Sequence, residues 1–393
     1  MATSTAQPDF DLVLVGGGLA NGLIALRLAT MRPEVRVAIV EAGPQLGGNH
    51  TWSLFDEDLS AAQREWTDAL FAHRWDTYSV RFPGKQRILQ AGYRSMTAQA
   101  LAEAVTAALP RDCILLSAQA IAIEPNAVQL ADQRRLTANA VIDSRGYRAS
   151  QHLNLRWQKF FGLELRLANE HGLAGPIIMD ATVSQLDGYR FVYTLPLGPR
   201  TVLIEDTYFS DGDDLARDAS LERLLDYAQA QGWTIEKVIR EEAGVLPMAI
   251  GGNIEKLWDA GTPGVGMAGL QAALFQPATG YTFPGAARTA DLIAGLPEIN
   301  AVAVYQALRR HSCATWHANG FYRYLNLLLF EGADADQRVK VIERFYGLHS
   351  NLVRRFYAGH STLADRLRIM VGKPPIPLLR AIKLTVMAAA GRF

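Results

Sequence analysis

Two adjacent carboxylates, Glu205 and Asp206, are the residues of this chain best placed to act as a general acid. They follow the apolar residues 202–204, which indicate a buried strand. Neighbouring side chains on a strand point to opposite faces, so one carboxyl should lie among apolar groups, where desolvation raises its pKa. A carboxyl that stays protonated near neutral pH can donate a proton. On spacing alone, a hydrated strand end that presents both acids to solvent is the commoner case.

A glycine-rich segment near the N-terminus indicates a nucleotide-binding site. Residues 12–15 form a short apolar run typical of a buried parallel strand, and residues 19–29 are predicted to be helical. Between them, Gly16 and Gly18 let the backbone approach a pyrophosphate, towards which the helix directs its N-terminal N–H groups. Glu41 ends the next strand, where a carboxylate can accept a hydrogen bond from a ribose hydroxyl. Since no arginine directly follows this acid, the pattern predicts FAD or NAD rather than NADP.

The glycine fingerprint has one departure. Its third glycine should occupy the position of Asn21, and Gly22 follows one residue late. The third glycine normally allows close packing of helix and strand, so the packing here must accommodate a small polar side chain. A glycine-rich turn without a ligand is the alternative, but the strand, the helix and the acid around the motif favour a dinucleotide.

Further candidate nucleotide contacts follow along the chain. Gly47 and Gly48 permit a second close backbone approach, and His50 is either a cofactor contact or an ordinary donor within the loop. Asp143 and Gly146 follow an apolar strand, at the carboxyl edge where open α/β sheets bind ligands. An ordinary turn at a strand end would contain the same residue types.

A second glycine-bearing turn precedes a helix that is predicted over residues 284–294. Gly269, Pro277 and Gly280 lie in this turn. Such an arrangement typically places the N-terminus of the helix under a flavin ring. A plain strand–loop–helix unit is the alternative.

Composition limits the class of protein. The 393 residues are 49% hydrophobic and carry a formal net charge of zero, which argues against nucleic acid as the main partner. From residue 301 onward, 14 Lys and Arg face five Asp and Glu, which suggests contact with an anionic surface; a helical cap with a solvated basic face is the alternative. Cys113 and Cys313 form no disulfide framework, which fits a reducing cytosol. The sequence predicts neither a signal peptide nor a membrane span.

The succession of elements predicts an α/β protein with an α+β second lobe. Residues 1–157 are expected to form the first part of a Rossmann-type nucleotide-binding domain, to which residues 253–296 return. Residues 158–252 contain aromatic and β-branched strands typical of an antiparallel sheet, and residues 297–393 are predicted to be helical and basic. No metal site is predicted, because no His, Asp and Glu cluster has the spacing of metal ligands.

Seven segments together resemble the bacterial lycopene beta-cyclases, and the resemblance extends over nearly the whole chain. In that family an Asn before the late glycine is usual, so Asn21 becomes a mark of membership. The segments are residues 14–25, 47–52, 141–146, 193–197, 203–207, 246–248 and 275–281.

The resemblance implies a flavoprotein of the glutathione-reductase-like class that binds FAD, needs it reduced and takes electrons from NADPH. It implies cyclisation of lycopene through gamma-carotene to beta-carotene, a non-redox reaction in which a proton adds to the terminal C1–C2 double bond and a carbocation forms. The essential acid of the family lies in a motif that matches residues 203–207, which assigns this role to Glu205. Reduced flavin could deliver the proton instead, and the sequence leaves both roles open.

Carbocation chemistry also requires a dry, electron-rich cavity, because π faces stabilise a desolvated cation by about 1–2 kcal/mol each. The aromatic candidates for this cavity are Trp52, Phe191, Tyr193, Phe275 and Tyr281. The resemblance implies a cytoplasmic protein attached peripherally to a membrane through its basic C-terminal helices. Contact with other carotenoid enzymes is left open.

Two other functions remain compatible with the sequence. A FAD-dependent redox enzyme, such as a reductase or hydroxylase of a prenyl or carotenoid substrate, shares this architecture but needs no acid in an apolar strand. A flavin-bearing carotenoid carrier at the membrane would bind its ligand without turnover.

Overall fold

A computed structural model describes residues 7–371 and 376–389, so predictions for residues 1–6, 372–375 and 390–393 lie outside the described part. The strands are β1 (Phe10–Val15), β2 (Val37–Val40), β3 (Thr51–Phe55), β4 (His73–Phe82), β5 (Lys85–Thr97), β6 (Ile114–Leu115), β7 (Ala120–Glu124), β8 (Ala127–Leu130), β9 (Arg135–Asp143), β10 (Leu153–Leu167), β11 (Ile177–Asp180), β12 (Tyr189–Gly198), β13 (Thr201–Ser210), β14 (Ile235–Gly252) and β15 (Gly266–Met267). The helices are α1 (Leu19–Met31), α2 (Ala61–Thr67), α3 (Ala98–Ala108), α4 (Arg217–Ala230), α5 (Ile254–Asp259), α6 (Phe283–Ala294), α7 (Ala301–Ala318), α8 (Gly320–Leu327), α9 (Arg338–Phe345), α10 (Ser350–Tyr357), α11 (Leu363–Met370) and α12 (Leu378–Ala389).

The smaller sheet has the strand order β6-β2-β1-β9-β8-β7, with β15 beside β9. Its strands β6, β2, β1, β9 and β15 are parallel, whereas β7 and β8 are added as antiparallel strands. The apolar run of β1 is buried between its neighbours, and it shares one hydrophobic core with α1 and α6, which pack against each other. This arrangement is the Rossmann-type nucleotide-binding architecture expected from the glycine-rich segment.

The larger sheet has the order β14-β10-β13-β12-β11-β4-β5-β3. Its pairs are antiparallel except for β11 and β4, which run parallel. Strands β3, β4 and β5 lie within residues 51–97. The sequence pattern predicts that these residues belong to the nucleotide-binding domain. The alternating pattern of this hairpin is visible in the sequence, but the pattern does not tell which sheet the hairpin extends.

Two helical layers cover the larger sheet, one on each face. Val202 and Ile204 of β13 belong to a cluster with Leu224 of α4. Leu203 and Phe209 of the same strand belong to a cluster formed with the C-terminal helices. Alternate residues of β13 therefore contact different layers. Within residues 7–371 and 376–389, none of the helices has both the length and the apolarity to cross a membrane.

A buried ion pair joins β12, β13 and α4. The Nε of Arg190 donates to the Oδ1 of Asp206 over 2.6 Å, and both side chains are almost fully buried. The hydroxyl of Tyr208 donates to the other carboxylate oxygen, and Arg223 of α4 lies 4.0 Å from it. These contacts compensate the desolvation of the Asp206 carboxylate, so its role in the structure is stabilising.

We expect Asp206→Ala to lower the free energy of unfolding by about 3–5 kcal/mol, because it leaves the buried charge of Arg190 without its partner. Denaturant unfolding measures the change. Glu236→Ala is the control, since Glu236 forms an exposed 3.0 Å pair with Arg200 whose loss should cost less than about 1 kcal/mol. Equal losses in the two variants would contradict the stabilising role of the Arg190–Asp206 pair.

Candidate active site

The alternation along β13 separates the two candidate acids. Glu205 and Thr207 line a cavity of about 1040 Å³, together with loops of the smaller sheet and the C-terminal helices. Asp206 points to the opposite face, where Arg190 binds its carboxylate. The prediction that included Asp206 among the catalytic residues is therefore corrected: its carboxylate does not line this cavity.

The surroundings of Glu205 favour its protonated form. It lies opposite Gly162 of β10 and Tyr193 of β12, and only 8% of its surface is exposed. Burial raises the pKa of Glu205 well above its ordinary value, and the hydrogen bond and charge of Glu242 raise it further. These effects favour the protonated form of Glu205, which is the form that a general acid requires.

Aromatic side chains form much of the wall around Glu205. Of the predicted aromatic residues, Trp52, Phe191, Tyr193 and Tyr281 line the cavity. Phe275 does not: it is buried in the hydrophobic core of the nucleotide-binding domain. The sequence motif places Phe275 near the site, but it does not determine the direction in which its side chain points.

A hydrogen-bonded chain of hydroxyl groups connects the aromatic wall. The Tyr93 hydroxyl lies 2.9 Å from that of Tyr193 and 2.8 Å from that of Tyr281. The Tyr193 hydroxyl also lies 2.7 Å from the Oγ of Ser53. Burial raises the pKa of each of these three tyrosines well above its ordinary value, so they remain neutral. The wall therefore exposes no permanent charge of its own.

The glycine-rich turn after β1 forms the nucleotide end of the cavity. Gly16 has φ = +96°, and a β-carbon added there would lie 2.7 Å from the carbonyl oxygen of Ser144. The Glu41 carboxylate accepts hydrogen bonds from the N–H groups of Gly17 and Gly43, each over 2.6 Å. The predicted cofactor residues that line the cavity are Gly16, Gly18, Glu41, Gly47, Gly48, His50, Gly146, Gly269 and Gly280.

The departure from the glycine fingerprint has a structural explanation. Asn21 is fully buried and its amide donates to the carbonyl oxygens of Val15 and Gly16, at 3.0 and 2.8 Å. Asn21 therefore stabilises the backbone of the turn through these two hydrogen bonds. A β-carbon on Gly22 would lie 3.0 Å from the side chain of Leu101 in α3, so Gly22 permits close packing of the two helices. Asn21 and Gly22 are both among the residues predicted to bind the cofactor, but neither lines the cavity.

Two further predicted cofactor residues lie behind the cavity wall. Asp143 binds the guanidinium of Arg145 through two 2.8 Å hydrogen bonds and accepts another from Gln271. Burial raises the pKa of Asp143, but these hydrogen bonds outweigh burial and the pKa falls below its ordinary value. The carbonyl oxygen of Pro277 accepts a 2.6 Å hydrogen bond from Asn326. Both residues therefore shape the loops that carry Gly146 and Gly280, and neither lines the cavity.

The C-terminal helices contribute mainly apolar side chains to the cavity. Among these are Ile342 of α9, Ile369 and Met370 of α11, and Ile376. Met370 is 39% exposed. The volume is at the upper end of the roughly 300–1000 Å³ of ordinary ligand pockets. The cavity thus combines glycine-rich loops with apolar side chains of the C-terminal helices.

Sequence reasoning missed the groups that share the cavity with Glu205. Tyr93 of β5, Phe160 of β10 and Phe209 of β13 line it, and Glu242 of β14 contacts Glu205. The alternating pattern of their strands indicates buried faces, but the register between distant strands decides which faces meet. In the part of the chain that the structure describes, no group of three or more His, Cys, Asp or Glu could hold a metal ion.

The model of the family described as "Lycopene cyclase protein" matches residues 11–383 of this chain. A lycopene beta-cyclase of Pantoea ananas is 44% identical over 377 residues, which cover 96% of this chain and 98% of that protein. A lycopene beta-cyclase of Pseudescherichia vulneris is 46% identical over 368 residues, which cover 94% of this chain and 95% of that protein.

Solved structures with the same fold are more distant in sequence. A geranylgeranyl bacteriochlorophyll reductase-like protein of Thermoplasma acidophilum has a TM-score of 0.63 at 12% identity, over 97% of this chain and 98% of that one. The p-nitrophenol 4-monooxygenase of Pseudomonas putida has a TM-score of 0.59 at 15% identity, over 90% of this chain and 98% of that one. At these identities the likeness concerns the fold alone. The predicted α/β fold class and the predicted family are both confirmed, and the chain belongs to the lycopene cyclase family.

Proposed function

We propose that this protein closes the β-ionone rings at both ends of lycopene, through gamma-carotene to beta-carotene, with Glu205 as the general acid. The observation that carries the proposal is the buried carboxyl of Glu205, whose pKa is raised by burial, in a cavity partly lined by aromatic side chains. Membership of the family supports the substrate class. A redox enzyme with this fold would need no such acid.

In the proposed reaction the Glu205 proton adds to C2 of the terminal C1–C2 double bond, which leaves a cation at C1. The C5–C6 double bond then attacks C1 to form the ring bond, and the cation moves to C5. Loss of a proton from C6 forms the new double bond, so the product has the same mass as the substrate. The walls formed by Trp52, Phe191 and Tyr193 would exclude water and present π faces, each worth about 1–2 kcal/mol to a desolvated cation.

The glycine-rich end of the cavity fits the FAD that we propose as the cofactor, with NADPH as its reductant. β-Carbons added to Gly18, Gly48 or Gly146 would meet no protein atom within 4 Å, so these positions border open space in the cavity. The first turn of α1 directs its free N–H groups towards the Gly18 side, as pyrophosphate binding requires. Reduced flavin, when bound, would supply an electron-rich ring that favours a nearby cation.

We expect Gly18→Val to lower flavin content strongly, because its side chain would fill the space for the pyrophosphate. The φ of −78° at Gly18 suits valine, so the backbone should not be strained. The measurement is the ratio of flavin to protein absorbance after purification, with thermal unfolding as the test of folding.

Gly212→Val is the matched control for the flavin measurement, since Gly212 is exposed and its β-carbon would also meet no atom within 4 Å. Equal flavin content in the two variants would refute the assignment of the Gly18 turn to FAD.

With FAD and NADPH in anaerobic liposomes that contain lycopene, we expect a product of unchanged mass, new retention time and blue-shifted absorption. Glu205→Gln should reduce its formation by about 10²–10⁴-fold, the usual contribution of a general acid. Mass spectrometry and absorption spectra of the extracted product provide the measurement, and flavin content should equal that of the wild type.

Glu241→Gln is the control, because Glu241 is exposed and pairs with Arg217 over 3.0 Å. A gain of two hydrogens would indicate hydride chemistry and overturn the cyclase. Full activity of Glu205→Gln would overturn only the assigned acid.

We also propose peripheral attachment to the cytoplasmic face of a membrane, where a long hydrocarbon substrate resides. On α11, whose Ile369 and Met370 line the cavity, Leu363 is 76% exposed and Leu367 is 66% exposed. Leu379 of α12 is 83% exposed. Arg368 and Lys383 on these helices are also exposed. Apolar side chains flanked by basic groups are typical of helices that lie in a membrane interface.

Replacing Leu363 and Leu367 together by Ser should lower binding to anionic liposomes about ten-fold or more, since burial of each leucine contributes about 1.5–3 kcal/mol. Sedimentation with vesicles at several salt concentrations measures this loss, and binding of the wild type should weaken as salt rises. The control replaces Ile88 and Ile121, which are 73% and 62% exposed on strands elsewhere. Equal pelleting of both double variants would argue against docking through α11.

A further inference from the structure

Two glutamates on separate strands flank a glycine beside the cavity. In the sheet register, Gly162 of β10 pairs with Glu205 of β13 on one side and with Glu242 of β14 on the other. A β-carbon added to Gly162 would lie 2.8 Å from the Cγ of Glu205 and 3.2 Å from the Cγ of Glu242. Any larger residue would push the two side chains away, so Gly162 provides the space in which their carboxyl groups meet.

The Glu242 carboxylate is bound on one oxygen only. Its Oε2 accepts a 2.8 Å hydrogen bond from the Thr51 hydroxyl and a further bond from Arg240. Arg240 is itself fixed by Glu164 at 2.7 Å and by the hydroxyl of Thr51 at 2.8 Å. The other oxygen, Oε1, is buried and receives no N–H or O–H donor from the described residues. A buried acceptor without a donor requires an explanation.

A protonated Glu205 supplies the missing donor. Among the described residues no N–H or O–H group of another side chain or of the backbone donates to the Glu205 carboxyl. The charge of Arg240 favours its anion from a distance, whereas Arg240 and Thr51 bind the Glu242 carboxylate directly. Two adjacent buried carboxyls cannot both ionise without a large cost, so a single proton is shared between them. The difference in their partners decides which carboxyl holds it.

We propose that Glu242 is a positioning residue whose anion binds the hydroxyl of protonated Glu205 and keeps the catalytic proton on Glu205. The proposal rests on the proposed function, in which Glu205 is the acid. When the proton leaves for the substrate, two carboxylates face the new cation, and both attract it in a cavity that excludes water. The pair regains one proton before the next turnover.

The charged and titratable groups around the pair are consistent with a proton on Glu205 and a negative charge on Glu242. For Glu242, burial raises the pKa, but the hydrogen bond from Glu205 and the charge of Arg240 lower it below its ordinary value. Burial lowers the pKa of His50, against the opposing effect of Glu242, so the imidazole is neutral near pH 7. Tyr193 of β12 also stays neutral because burial raises its pKa. Glu164 of β10 is bound by Arg240 and balances part of its charge.

Glu242→Gln tests the proposal through the pH dependence of cyclisation by the flavin-loaded enzyme in lycopene liposomes. Glu205 is active when protonated, so its rate falls as pH rises through its pKa. Removing the neighbouring anion lowers that pKa, and the alkaline limit should move down by about one pH unit or more. At pH values above the new limit, activity should fall about ten-fold per unit. A purely structural role would not move this limit.

Glu242→Asp and Glu241→Gln complete the experiment. Glu242→Asp keeps the charge, so its alkaline limit should stay near that of the wild type even where its maximal rate falls. Glu241→Gln, on the neighbouring exposed residue, should match the wild type in both rate and limit. If Glu242→Gln loses flavin, its pH profile cannot be measured. The test is then the infrared carbonyl band of the protonated carboxyl in Glu242→Asp, which should persist to the same pH as in the wild type.

An unshifted alkaline limit in flavin-loaded Glu242→Gln would overturn the role of Glu242 and leave Glu205 as the acid. A carboxyl band in Glu242→Asp that disappears at a clearly lower pH than in the wild type would also overturn the role of Glu242. Unchanged cyclisation by Glu205→Gln would instead remove the assigned acid, so failure of the proposed function is recognised separately.

Discussion

A buried negative charge without a partner costs several kcal/mol, and this cost governs the arrangement around Glu205 and Glu242. The site holds two carboxyls, and among the described residues Arg240 forms its direct ion pair with only one of them, Glu242. The neutral acid and the anion beside it therefore follow from where the positive charge is placed. The sheet contributes the geometry through Gly162, and the C-terminal helices contribute the low-dielectric surroundings by covering this face of the sheet.

Strand β13 contributes both a structural ion pair and the proposed acid, because its side chains alternate between the two faces of the sheet. The Asp206 carboxylate binds Arg190 and Tyr208 on the face that packs against α4, where it is a structural group. Glu205, one residue earlier, faces the cavity and receives no cation directly. A shift of one residue in the register of β13 would exchange the two side chains between these faces. Stabilisation of the sheet and availability of the proton thus depend on the same register.

Local sequence patterns predict the glycine-rich turn of the site better than the contact between Glu205 and Glu242. The turn around Gly16, the helix that follows and Glu41 are close in sequence, and their spacing directly reflects a strand–turn–helix–strand unit. The contact between Glu205 and Glu242 is not local, because only the pairing of β10 with β13 and β14 brings them together. Phe275, Pro277 and Asp143 show a different limit: a motif places a residue near a site, whereas packing decides which atoms face the ligand.

The substrate imposes a further condition on the cavity. Each chain has one Glu205, and in the proposed reaction both ends of the same hydrocarbon must reach it. The monocyclic intermediate therefore has to leave and enter again with its other end. Met370 of α11 lines the cavity and is 39% exposed, on the same helix as the exposed Leu363 and Leu367. An opening beside this helix that borders a bilayer would let the intermediate withdraw without exposing its chain to water, because burial of apolar surface supplies the driving force. Both ring closures need Glu205, and the second also needs this route out of the cavity and back.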